Sequence, residues 1–126
     1  NSRKLFGIEQ DANAIGDARD NSARVGLQNV EFIHASAHAG LQTLLRRNVR
    51  ADVVVLDPPR AGAAEILEII PQLGATKIVY ASCDPTTLAR DLRRLGQSGY
   101  RVDSLQPIDF FPQTYHVETI AVAVLT

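Results

Sequence analysis

The stretch ADVVVLDPPR, residues 51–60, decides how this chain folds. Residues 51–57 are almost wholly β-branched or aliphatic, the composition of a parallel strand buried on both faces. Pro58 and Pro59 then stop it, because neither ring nitrogen can donate to a ladder. TKIVYAS (76–82) reads as a second buried strand. Outward from these two, short apolar runs alternate with helical periodicity. LFGIE (5–9) and VEFIHA (30–35) read as strands, and GLQTLLRRN (40–48) as a short helix. A longer helix over 11–27 has Asp11 as its N-cap and Ala12, Ile15, Ala18 and Ala23 toward the sheet. AAEILEIIPQL (63–73) fits a helix ending near Pro71, and residues 85–99 a helix capped by Asp84 with Pro85 in its first turn. Two strands close the chain, 100–109 and 117–125, and their link is too short for a helical crossover, so they pair antiparallel. The pattern is α/β, a mostly parallel sheet with an antiparallel final strand.

A chain of 126 residues with 45% hydrophobic content supports one compact domain with a core of its own. Thirteen Lys and Arg stand against 14 Asp and Glu, so a net charge of −1 creates no global positive field to gather nucleic acid or an anionic membrane surface. One cysteine excludes an internal disulfide. With no long apolar span or charged leader in the sequence, the expectation is a soluble protein of a reducing, cytoplasmic compartment. No segment is repeated or low in complexity.

Ligands of open α/β sheets gather at the carboxyl ends of the strands, which here carry Glu9, Ser36, Asp57, and Cys83 with Asp84. Glu9 suits a ribose diol, since one carboxylate accepts two hydroxyl protons; plain strand-end solvation explains it equally. Asp57 heads a loop that two proline rings stiffen, useful beside a cofactor, although it could also cap the turn that follows. Cys83 could simply fill space, as free cysteines often do. It also precedes a helix N-terminus, whose N–H groups favour a thiolate, while the neighbouring Asp84 opposes one. Glu118 near the start of an apolar strand, and His116 just before it, need water or a function.

Taken in order, DPPR (57–60), SCDPTTLARDL (82–92), GY (99–100) and DFFPQTYHVET (109–119) resemble the C-terminal catalytic half of the RNA uracil-5-methyltransferases. These enzymes form 5-methyluridine in transfer or ribosomal RNA. The resemblance runs from Gly7 to Thr126 and implies a Rossmann-like, S-adenosylmethionine-dependent methyltransferase fold, with residues 1–126 the C-terminal part of a class I catalytic domain. It implies Cys83 as nucleophile, Glu118 as the base that removes a proton, Glu9 and Asp57 as S-adenosylmethionine contacts, Ser36 as a further cofactor candidate, RNA as partner, and no metal. Asp84 stands where the family often has asparagine.

The family's first strand and Gly-rich loop would precede Asn1, and that strand would sit between the first and third strands seen here. The expectation is therefore a fragment that binds S-adenosylmethionine weakly by itself and associates through unpaired inner edges. An upstream RNA-binding domain and, in some members, an iron–sulfur cysteine cluster would also precede it. Two other functions use the same residues differently. A methyltransferase acting on an exocyclic amine would keep the D-P-P loop and need neither Cys83 nor Glu118. A non-catalytic fragment would need none of these.

Overall fold

The computed structural model describes residues 3–110, 112–114 and 117–126, in two compact units that divide between Asn48 and Val49.

In the first unit, β1 (Leu5–Glu9) and β2 (Val30–His34) pair in parallel, Leu5 opposite Val30 through Glu9 opposite His34. The crossover between them is α1 (Ala12–Arg24), whose N-cap Asp11 accepts the N–H groups of Asn13 and Ala14 at 2.8 and 2.9 Å. Its buried side chain is Ile15. Ala18 and Ser22 are half-covered, whereas Ala12 and Ala23, expected against the sheet, are exposed. The covered stripe leans to the Ser22 side of Ile15, which leaves both alanines on its other flank. α2 (Ala37–Arg46) begins earlier than apolar periodicity indicates, because Ser36 caps it by accepting the Ala39 N–H. Gly40 lets α2 approach β1; a Cβ there would stand 2.5 Å from Ile8 Cγ2. On the surface, Lys4 and Arg47 both pair with Glu31 and lie over the Phe6 ring. Hydrogen bonds from Arg47 first, then Lys4, hold the Glu31 carboxyl down at about 2.

The second unit contains β3 (Val53–Leu56), a 3₁₀ turn (Ile70–Leu73), β4 (Lys77–Ser82), α3 (Pro85–Gln97), β5 (Tyr100–Ile108) and β6 (Glu118–Leu125). The sheet order is β3-β4-β6-β5, with β3 and β4 parallel and β6 antiparallel to both its neighbours. The α/β class and the antiparallel final pair thus follow the sequence. β6 inserts between β4 and β5, and the result is a mixed sheet.

Two expectations fail here. Residues 63–73 do not form a helix; turns carry the chain from Ala64 to Ile69, and only Ile70–Leu73 closes into 3₁₀ geometry. Pro71 has no N–H to give the fourth residue back, and the bonds that form are mostly three residues apart, as from Ile69 to Ile66 and from Gln72 to Ile69. Nor is β3 buried on both faces. Val53 is 50% and Val55 72% exposed, and Leu56 is its one buried residue. β3 is an edge strand of its sheet, and no element of this unit covers the face that Val53 and Val55 share.

The core of this unit joins Leu67, Ile70 and Leu73 to Ile78 and Tyr80 of β4, Leu95 of α3, and Ala121 and Ala123 of β6. Each large aliphatic side chain among them contributes about 1.5–3 kcal/mol by leaving water. β5 is exposed along nearly its whole length, and a bulge between Val102 and Ser104 and Pro107 blunt its free edge. Among the described strands β1 bonds to β2 alone and β3 to β4 alone, so each leaves one side without a strand partner.

Candidate active site

The β4–β6 ladder runs from Lys77 opposite Val124 to Ser82 opposite Thr119. One further step in that register sets Cys83 opposite Glu118, the residue at which β6 begins. Directly opposed residues of an antiparallel pair project to the same face, with Cα atoms roughly 4.5–5.5 Å apart where the ladder is intact. Both residues are half-buried. The register thus brings two positions distant in sequence to the same end of two hydrogen-bonded strands.

The turn that carries Cys83 is braced from both sides. Buried Ser82 donates its hydroxyl to the Asp84 carbonyl at 2.9 Å and accepts the Asp84 N–H at 3.1 Å. The Asp84 side chain caps α3, accepting the N–H groups of Thr86 and Thr87 at 2.9 Å each. Those two donors, Thr87 foremost, hold its carboxyl below the usual range, with Arg60 assisting from 4.0 Å. Asp84 is therefore an anion beside the thiol, and the helix N-terminus that would favour a thiolate is partly engaged by it.

Asp57 follows β3 directly and is exposed. The loop it begins is tied to α3 at successive points. Thr87 Oγ1 donates to the Arg60 carbonyl at 2.9 Å, and Arg90 Nη2 to the Ala61 carbonyl at 2.8 Å. Asp91 Oδ2 accepts the Ala63 N–H at 2.7 Å and the Tyr80 hydroxyl at 2.7 Å, while Arg90 Nε and Nη2 bind Oδ1. Asp91 is 0% exposed. Burial, then the bond to Asp91, pushes the Tyr80 phenol above its ordinary range. Sequence reasoning passed over this cluster, although a signal was present: Asp91 lies between Leu88 and Leu95 on the apolar face of α3, where a carboxylate requires partners.

Glu9 and Ser36 belong to the first unit. Glu9 is the last residue of β1, exposed, with Oε1 accepting the Asp11 N–H at 2.8 Å. Ser36 is spent as the α2 cap, although its hydroxyl proton can still be donated. His116 lies outside the described residues, as do Phe111 and Tyr115.

Residues 3–124 match the family described as tRNA (uracil-5-)-methyltransferase. The chain belongs to that family. An uncharacterized RNA methyltransferase of Caldanaerobacter subterraneus is 45% identical over 118 residues, covering 93% of this chain and 26% of its own length. Another, from Clostridium acetobutylicum, is 42% identical over 121 residues, covering 95% of this chain and 26% of its own. The chain thus spans about a quarter of the length of these relatives. Among solved structures, a putative S-adenosylmethionine-dependent methyltransferase from Streptococcus mutans superposes with a TM-score of 0.78 at 10% identity, over 98% of this chain and 39% of that one. Precorrin-6y C5,15-methyltransferase from Geobacter metallireducens gives 0.72 at 21% identity, over 96% and 67%. Both have the methyltransferase fold, and the family member described here shares it. No helix among the described residues is long and apolar enough to cross a membrane.

Proposed function

We propose that the protein carrying this chain methylates carbon 5 of a uridine in transfer or ribosomal RNA through a covalent cysteine adduct. The supporting observation is the β4–β6 register, which aligns Cys83 with Glu118 one step past the last ladder pair. Carbon 5 of uracil is a weak nucleophile until carbon 6 is attacked. The Cys83 thiolate forms a bond to carbon 6, and the ring electrons move to give an enolate that is nucleophilic at carbon 5. S-adenosylmethionine, when bound, supplies the electrophilic methyl group that carbon 5 takes. Glu118 then removes the remaining proton from carbon 5, the C6–S bond breaks, and the electron pair returns to sulfur. The target base must leave its stack to reach a half-buried thiol, which suits an RNA loop.

The residues fit the cofactor chemically. Glu9 and Asp57 are exposed carboxylates at strand carboxyl ends, suited to accept from hydroxyl and ammonium groups, and Ser36 retains a donor. Glu118→Gln permits addition and methyl transfer but blocks elimination. It should therefore accumulate a protein–RNA adduct that survives a denaturing gel, and Cys83→Ala should abolish it. The same adduct from Cys83→Ala would refute the assignment.

A further inference from the structure

Asp91 raises a question that stability does not answer. A carboxylate removed wholly from water costs several kcal/mol, and a well-packed apolar residue often serves a core as well or better. Here its oxygens bind three groups that share no element: the Tyr80 hydroxyl of β4, the Ala63 N–H of the loop, and the Arg90 guanidinium of α3. These bonds complete a closed circuit. Leu56, the last residue of β3, stands opposite Tyr80 in the β3–β4 ladder, and seven residues later the chain returns to Tyr80 through Ala63 and Asp91. Asp57 is the first residue of that circuit and Pro58 and Pro59 its stiffest part. Gly62, at φ +83°, brings the backbone so close that a Cβ would lie 2.5 Å from Asp91 Oδ2.

We infer that Asp91 is a positioning residue, which fixes where Asp57 stands by holding the loop's far end against β4 and α3. The inference rests on the reading of Asp57 as a cofactor contact. Asp91 touches no ligand in this scheme and acts through the loop backbone. Asn at this position keeps the shape but loses the charge that holds Arg90 while accepting from Tyr80 and Ala63.

Calorimetric titration of the full-length protein with S-adenosylmethionine separates positioning from mere folding. For Asp91→Asn the dissociation constant should rise about tenfold, equivalent to about 1.4 kcal/mol, with unchanged stoichiometry. A purely structural role predicts the opposite split, fewer binding sites at unchanged affinity, and that result overturns the inference. Asp57→Ala should also weaken binding, and adding Asp91→Asn to it should change little, because the two act in series. Unchanged affinity in Asp57→Ala would instead sink the cofactor assignment of Asp57, and the positioning role with it. If Asp91→Asn does not fold, Tyr80→Phe, which removes the bond that ties Asp91 to β4, decides. Weaker binding supports the circuit, and unaltered binding overturns it.

Discussion

Replacing Gly62 by alanine should cost far more than the same replacement at Gly99, although both glycines have left-handed φ, +83° and +92°. Backbone strain from a Cβ in this region is roughly 1–2 kcal/mol and applies to both. At Gly99 the nearest atom, Leu125 Cδ1, is 3.5 Å from the added Cβ, an ordinary contact. At Gly62 the added Cβ falls 2.5 Å from Arg90 Nη2 and 2.5 Å from Asp91 Oδ2. The exposed arginine can swing away. The Asp91 carboxylate cannot, since Oδ2 is buried and already bound to Tyr80 and Ala63 at 2.7 Å each. Losing one such charge-assisted bond costs about 1.5–3 kcal/mol, so Gly62→Ala should total about 2.5–5 kcal/mol. With a slope near the lower end of the usual range for small proteins, the two urea midpoints should differ by roughly 1–2 M. In an Asp91→Ala background the gap should close, leaving each variant with the strain alone. Equal losses for the two variants, within about 0.5 kcal/mol, would refute the picture of a fixed carboxylate.

Three more outcomes follow from the geometry. Because the Glu31 carboxyl is held at about 2 against an ordinary 4.5, its ion pairs stabilise the folded chain above pH 4.5, and this is lost as pH falls toward 2; Glu31→Gln should flatten acid unfolding across that window, less so in high salt. The Tyr80 phenol, raised above its ordinary 10.0, contributes stability that is complete below pH 10 and declines above it, so Tyr80→Phe should lose less stability than the parent between pH 10 and 12; equal declines in urea midpoint would contradict this. The isolated chain should self-associate through the open edges of β1 and β3, with Val53 and Val55 exposed on the latter; sedimentation of a monomer at high concentration would exclude it.

What the sequence makes legible here is what local chemistry controls. Asp11 and Asp84 announce their helices because a side-chain acceptor two or three residues ahead of free N–H groups needs nothing from the rest of the fold. The Leu5–Glu9 strand is read to the residue. Residues 63–73 mislead because their apolar spacing suits a helix, while Pro71 withholds the bond that would propagate one. Val53 and Val55 mislead differently: composition says what could cover a strand, not whether a neighbour does. At the site, the strand-end positions of Glu9, Asp57 and Cys83 follow from element order. The alignment of Cys83 with Glu118 does not, because it depends on β6 pairing with β4 as well as β5, a tertiary choice between two edges. Asp91 gives itself away as a charge in an apolar stripe, but its partners Tyr80 and Ala63 come from elsewhere in the chain.

The position of β6 between two antiparallel neighbours has a consequence for how such a protein can change. Its register is set independently by Ala121 opposite Tyr80 on one side and Leu105 on the other, so neither ladder can slip alone. Residues gained or lost between Ile108 and Glu118 are absorbed by the connection and leave the spacing of Cys83 and Glu118 intact. A single deletion inside β6 would instead turn Glu118 to the opposite face, away from the thiol. The connection can therefore change in length while the positions of Cys83 and Glu118 stay as far apart as the strands themselves.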